Sequence, residues 1–492
     1  MSESIRASSL VQAIKCKSWG LPYALLGIVG VFVSAFAINS WEFIAATLLS
    51  LILLKRILTI NILPIALIWL YPLFELTMSV LDAELQGLTI AERFYGTGQR
   101  AFWHGYMGLV ALYTGWWLLW RRRSQVTVRS SEEILVQIPL KKLLFLHVAL
   151  LFITQLIDFL IPYGSSIAQL TVHLNKLPLF VLYLAAWRYQ LTRESHLFFW
   201  GIVGYNILLS LASFFSEWRE FVIMFAFVGL IQASAPSLSK IRRLAVVAIV
   251  GLFAITTWQA VKQEYRTFLN GDSGSQAVRV EQSEALRYLW EISSIYWLES
   301  ELEKEDRELL INQDVGQATL ERVGYLDFFA RMMQYVPAEI PHEGGTLMKE
   351  NVKFALIPRI LNPNKGVKDD QWKVEYYTKR IISDNSSFSL GHFAEHFVDF
   401  GPRGMILSLF LFGLIGALGS AQFARGKGLI AAFDLIALFS IMSLFVSFQA
   451  DAIKIYGQCF WGAVVYLVLS RRILSYAIDR YLLRGSSSEK IV

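Results

Sequence analysis

GHFAEHFVDFGPRGMILSLFLFGLIGALG, residues 391–419, joins two kinds of chain with no linker between them. Its first half sets His392, Glu395, His396 and Asp399 among Phe393, Phe397 and Phe400. Its second half, from Met405, carries no charge at all. With its flanks, 404–422 is long and apolar enough to read as a membrane span. Charge at the mouth of such a span is costly, so these four residues need either solvation or a task.

The rest of the chain agrees with a membrane reading. Of its 492 residues, 55% are hydrophobic, 14% aromatic and 17% charged, and the mean hydropathy is +0.47. A soluble chain of this length needs more polar surface to cover itself, so the apolar excess is expected to face lipid. Two cysteines, Cys16 and Cys459, are too few for a disulfide framework. The opening MSESIRASSLVQAIKC lacks the apolar core and cleavage site of a signal peptide, so the first hydrophobic segment is expected to be a retained helix.

Apolar stretches recur near 21–38, 41–54, 57–81, 101–120, 143–162, 168–187, 196–215, 221–236, 244–261, 404–422, 429–448 and 459–471. Several fall short of the roughly 20 residues that cross a bilayer and must tilt or borrow from their flanks. The pattern predicts an all-α polytopic protein of about twelve transmembrane helices. Basic residues test that count. With the N-terminus (Arg6, Lys15, Lys17) inside, alternation also puts Lys55–Arg56, Arg121–Arg123, Arg188, Arg193, Lys240, Arg242, Arg243, Arg425, Lys427, Arg471 and Arg472 inside. Every basic cluster then lies on the cytoplasmic side, as the positive-inside rule requires, and both termini are cytoplasmic.

Three regions follow: helices one to nine (1–261), a large external loop (262–403), and helices ten to twelve with a cytoplasmic tail (404–492). The loop holds eight Lys and nine Arg against eight Asp and fifteen Glu, a net charge of −6. The remainder must carry +12, so the basic balance reports topology and makes no case for nucleic acid. Within the loop, NGDSGSQ (270–276) reads as a flexible linker. EQSEALRYLWEISSIYWLESELEKEDRELLI (281–311) reads as one long helix or a helical hairpin, with ELEKEDRE as a solvated face. Its Tyr288, Trp290, Tyr296 and Trp297 suit either an interfacial helix beside a lipid-side entrance or the aromatic core of a small outer domain. PHEGG, IPRILNPNKG and SDNSSFSLG predict extended connections between short helices.

Cations on the outer side run against the topological bias. Arg93 and Arg100 flank a Gly-rich loop, Arg219 lies in the tight turn FFSEWREF, and Arg266 continues the ninth helix out of the bilayer. Arg359 and Lys365 stand on the Pro-framed turn IPRILNPNKG, where they suit a phosphate or a carboxylate. Each is alternatively a snorkelling or headgroup-paired side chain. The chain has no G-x-x-x-x-G-K-[ST] loop, no kinase or dinucleotide fingerprint and no G-x-S-x-G elbow. His392, Glu395 and His396 spell H-x-x-E-H, which on a helix sets two histidines at i, i+4 and would need a third metal ligand from another helix.

Ala394 and Glu395, then Phe400–Gly401 and Gly404 leading into a transmembrane helix, resemble bacterial O-antigen and exopolysaccharide repeat-unit polymerases of the Wzy type. IPRILNPNKG resembles the proline–arginine…proline…lysine segment in the large outer loop of those proteins. VKQEYR, closing the preceding helix, and SEWRE also fit, with Trp218 standing where typical members have a small residue. The resemblance implies a GT-C-like membrane glycosyltransferase in the bacterial inner membrane that needs neither cofactor nor metal. It implies polymerisation of undecaprenyl-pyrophosphate-linked oligosaccharide repeats, with membrane lipids and a chain-length regulator protein as partners. Glu395, His396, Arg266 and Arg359 are the expected catalytic residues. Arg219, Arg93, Arg100, Lys365 and His392 are expected to bind substrate. A glycan ligase using the same carrier, a transporter and a zinc hydrolase are the competing readings.

Overall fold

The structure, a computed structural model, describes residues 52, 63–123, 128–161, 168–213, 219–231, 238–271, 278–298, 324–358, 361–362, 365, 371–381 and 389–482. Among them helix is the only regular structure, as the apolar stretches predict. In chain order the helices are α1 (Leu63–Leu85), α2 (Ile90–Arg93), α3 (Gly98–Arg123), α4 (Val128–Gln137), α5 (Leu140–Leu160) and α6 (Ala168–Leu174). They continue as α7 (Leu177–Thr192), α8 (His196–Leu211), α9 (Arg219–Ile231), α10 (Leu238–Asn270), α11 (Gln282–Leu298) and α12 (Leu326–Tyr335). The last six are α13 (Thr346–Leu356), α14 (Gln371–Thr378), α15 (His392–Phe423), α16 (Gly428–Phe445), α17 (Ala452–Val465) and α18 (Arg471–Ala477). Wider π-helical turns at Tyr466–Ser470 and Ile478–Leu482 extend α17 and α18 into one rod.

Among the described residues five helical stretches are long and apolar enough to cross a membrane: Pro64–Leu85, Leu140–Leu160, His392–Phe423, Gly428–Phe445 and Ala452–Leu482. That is compatible with a membrane protein. The expected spans 21–38 and nearly all of 41–54 lie outside the described residues. The stretch 168–187 is interrupted at Asn175–Lys176, which separates α6 from α7.

The chain forms two compact units. The first comprises Met1–Gly96 and Tyr205–Asp327. In it α1 packs on α9, and α10 packs on α11 around Val261, Tyr265, Leu269, Ala285 and Ile292. The second comprises Thr97–Gly204 and Phe328–Val492, so the segment 262–403 is shared between the units at 327/328.

The spine of the second unit is α3 against α15. Two glycines allow it: a Cβ on Gly115 would run into the Phe410 carbonyl, and one on Gly413 into that of Leu112. Small residues let apolar helices approach backbone to backbone, where dispersion replaces the missing hydrophobic drive. Trp116 Nε1 then donates to Ser420 Oγ at 3.2 Å across the same seam. On its other sides the unit is closed by α4 and α7 on α16, α5 on α7, and α13 on α17. Asp434 of α16 accepts from the Tyr466 hydroxyl at 2.9 Å and pairs with Arg471 at 3.1 Å, tying α16 to the α17–α18 rod.

Candidate functional site

α15 does not begin where its apolar run begins. It starts twelve residues earlier at His392 and is interrupted at Gly401, whose φ of 66° and ψ of −173° belong to a region that glycine alone occupies readily. Pro402 follows, and a proline removes one backbone donor from the ladder just where the helix restarts. The turns from His392 to Phe400 therefore form a separate helical piece ahead of the apolar run that starts at Met405. His392, Glu395, His396 and Asp399 are all buried in it. The solvated explanation of these four residues is thereby removed.

Each has a distinct occupation. Glu395 Oε1 lies 3.0 Å from Lys373 Nζ, and Glu395 Oε2 accepts from Asn351 Nδ2 at 2.6 Å. Lys373 reaches a second carboxylate, Asp451 Oδ2, at 2.6 Å. Asp451 Oδ1 in turn accepts from the Lys454 amide at 2.9 Å and so caps the N-terminus of α17. Asn351, Lys373 and Asp451 are fully buried and Glu395 is 2% exposed. Four elements thus meet at one carboxylate: α13 supplies Asn351, α14 supplies Lys373, α15 supplies Glu395, and the start of α17 supplies Asp451. The His392 amide donates to the Ala450 carbonyl at 2.8 Å, which binds the start of α15 to the segment that carries Asp451.

Asp399 does structural service. Its two oxygens accept from the Leu347 and Met348 amides at 3.0 and 2.5 Å, satisfying the first orphan donors of α13. The backbone beside it holds the preceding turn, with Glu343 N on Val398 O and Gly344 N on Asp399 O. Tyr377 donates to Glu343 at 2.9 Å; burial, then this carboxylate, pushes its phenol well above the usual range.

His396 lies one residue beyond Glu395 and faces elsewhere. Its Nδ1 pairs with Ser408 Oγ at 2.7 Å, across the break in α15, and its Nε2 lies 3.4 Å from the Tyr456 hydroxyl. The rings of His392 and His396 are 6.1 Å apart, and among the described residues no three His, Cys, Asp or Glu side chains converge as a metal site would need.

The expected cations are distributed. Lys365 donates to the Phe354 and Ile357 carbonyls and lies 4.2 Å from the Phe354 ring, so it closes the C-terminal end of α13. Arg93 pairs with Asp82 at 2.9 Å in the first unit. Arg266 lies on α10 and Arg219 opens α9, both in that same unit. Arg100 is exposed on the first turn of α3. Arg359 lies outside the described residues. Glu395, His396 and His392 share the first turns of α15, but Glu395 and His396 engage different partners.

Sequence reasoning missed Lys373, Asn351 and Asp451. A signal existed for one of them: Asp451 in FQADAIK is a lone acid between apolar stretches, standing where an N-cap would stand. Lys373 in DQWKVEYY and Asn351 in KENVKF look like ordinary surface residues.

A model of a family described as domain of unknown function (DUF8712) matches residues 104–469, a stretch that includes all four members of the buried cluster. No curated protein and no solved structure matches the chain.

Proposed function

We propose that this chain, which belongs to the DUF8712 family, is a membrane glycosyltransferase. It polymerises undecaprenyl-pyrophosphate-linked oligosaccharide repeats at the outer face of a bacterial inner membrane. About twelve spans, a GT-C-like arrangement and cytoplasmic termini belong to the same reading. The observation that supports it most is the double restraint on Glu395. A general base must be held in one position near the proton it takes, and Lys373 and Asn351 fix both of its oxygens just before α15 becomes an apolar span. That is the level at which a lipid-linked pyrophosphate presents its reactive bond.

The step balances simply. The acceptor hydroxyl gives its proton to Glu395 while its oxygen bonds to the anomeric carbon of the donor glycan. The bond from that carbon to the pyrophosphate oxygen breaks, and its electron pair leaves on the lipid carrier. Glu395 is buried in the conformation described, so the acceptor reaches it when α13 and α14 part from α15. The family resemblance assigns Arg266, Arg359, Arg219 and Arg100 to the leaving pyrophosphate; Arg93 and Lys365, already engaged with Asp82 and with the α13 carbonyls, contribute least.

A second reading is favoured by one observation. Lys373, Glu395 and Asp451 are sealed from solvent, as the charges of a transporter's gate are. Glu395→Gln separates the two, because glutamine keeps an oxygen for Asn351 but cannot take a proton at neutral pH. In cells with equal membrane levels of each variant, the transferase predicts unpolymerised repeats exposed on the outer face and no ladder on a gel. Arg359→Lys is expected to lose about 30- to 1000-fold in rate, because lysine keeps the charge without the two-pronged contact. Near-normal ladders for both variants would remove these residues from the mechanism. Repeats trapped on the inner face would promote the transporter.

A further inference from the structure

In the first unit α11 folds back along α10, and the contacts set their register. Tyr288 stacks on Phe268 with ring centroids 4.0 Å apart and donates to Glu264 at 2.8 Å. Trp297 stacks on Phe253 at 4.5 Å, and its Nε1 donates to Thr257 Oγ1 at 3.0 Å. The helices are therefore antiparallel, and Trp297 lies about 15 Å further toward the start of α10 than Tyr288 does, at 1.5 Å per residue.

The surfaces of both helices change character along their length. On α10 the exposed residues, among those whose side chains are described, are Val246, Val250, Phe253 and Ile255, and further on Gln263, Glu264 and Thr267. On α11 they are first Glu281, Gln282, Ser283, Glu284 and Arg287, and then Trp290, Glu291, Ile295 and Trp297. In the register above the two changes fall at one level, near Glu264 on α10 and Trp290 on α11. A third marker lies at that level. The Tyr265 hydroxyl donates at 2.9 Å to the carbonyl of Leu211, the last residue of α8, where another apolar helix ends.

We infer that Trp290–Trp297 is a re-entrant arm lying in the outer leaflet beside α10, with Trp290 and Glu291 at its headgroup end and Ile295 and Trp297 turned to lipid acyl chains. Trp290, 77% exposed, stands at the water–lipid boundary, where an indole finds both an apolar layer and a polar partner for its N–H. Burial of the arm in lipid removes apolar surface from water, while the charged first turns of α11 stay outside. The inference rests on the sequence expectation that 244–261, within α10, crosses the membrane and that 262–403 lies outside, and it is independent of the transferase reading.

The test uses full-length protein in phosphatidylcholine–phosphatidylglycerol vesicles, with Cys16→Ser and Cys459→Ala as background. Ile295→Cys and Glu284→Cys are each labelled with bimane. At position 295 the expected result is blue-shifted emission, quenching by acyl-chain nitroxide lipids and protection from aqueous iodide; position 284 should show the reverse. Equal iodide quenching at both positions overturns the arm. A second measurement does not depend on the cysteine variants: brominated acyl chains should quench the intrinsic fluorescence of the native chain more than that of Trp290→Phe. No difference there also overturns it.

Discussion

Lys373 serves two carboxylates at once, at 3.0 and 2.6 Å, with no exposed atom to share the work with water. Taking one ammonium and two carboxylates out of water is expensive, and their mutual attraction repays it only while the set is complete. Removing the cation alone strands both acids. Lys373→Met is therefore expected to lower stability by about 3–5 kcal/mol. The triple variant Lys373→Met, Glu395→Gln, Asp451→Asn should recover most of that loss, since asparagine keeps the cap on α17 and the amides replace the charges. Thermal midpoints of the purified proteins in one detergent decide: equal midpoints for the native chain and Lys373→Met would show that the pair contributes nothing. The same geometry explains what could be read in the sequence. Glu395 and His396 stand out because they precede an apolar run. Their partners lie far along the chain, Lys373 22 residues and Asn351 44 residues from Glu395, and Asp451 78 residues from Lys373. Pairing at that separation is a tertiary fact with no local pattern.

At the scale of the element, the break in α15 decides how the site is presented. A continuous helix would extend the span by the nine residues that carry the polar cluster. The turn at Gly401 instead separates the two pieces, and Asp399 uses the freed geometry to cap α13. Gly–Pro at 401–402 marked this place in the sequence, and the span read from the hydropathy begins at 404, close to the break. That the preceding residues are also helical was less legible, because aromatic and polar residues alternate there without a clear apolar stripe. Alanine at 401 would have to adopt φ of 66° and ψ of −173°, at a cost of about 1–3 kcal/mol. Its Cβ would also stand 3.1 Å from His342 Nε2. Gly419 is the control: it lies in the same helix, and a Cβ there meets nothing within 4 Å. Gly419→Ala should therefore stabilise by about 0.5–1 kcal/mol, the usual helix-interior gain. Opposite shifts in midpoint for the two variants are expected; a neutral Gly401→Ala would mean the break carries no strain requirement.

For the whole molecule the deciding physics is where charge is allowed. If the twelve apolar stretches each cross the membrane, the basic clusters at Lys55–Arg56, Arg121–Arg123, Lys240–Arg243, Arg425–Lys427 and Arg471–Arg472 all fall on one side. Among the described residues α3 ends at Arg123, α15 and α16 meet across Arg425–Lys427, and Arg471 pairs with Asp434 from within the α17–α18 rod. The grouping of helices into two units was not legible, because the boundary at 327/328 falls inside the outer segment and depends on contacts between distant stretches. The topology itself makes a sharp demand. A cysteine at position 305 should react with a membrane-impermeant maleimide on intact cells, since 262–403 lies outside under this alternation. A cysteine replacing Arg122 should react only after the membrane is ruptured. Positions are compared at equal expression, with a permeant maleimide as the measure of intrinsic reactivity. The alternation is rigid: one missed or invented span between 123 and 262 inverts the relation of the two positions, so both would label from the same side. Labelling of position 305 only after rupture would put the loop in the cytoplasm. Glu395 would then face nucleotide and not lipid-linked sugar, and the transferase at the outer face would fall with it.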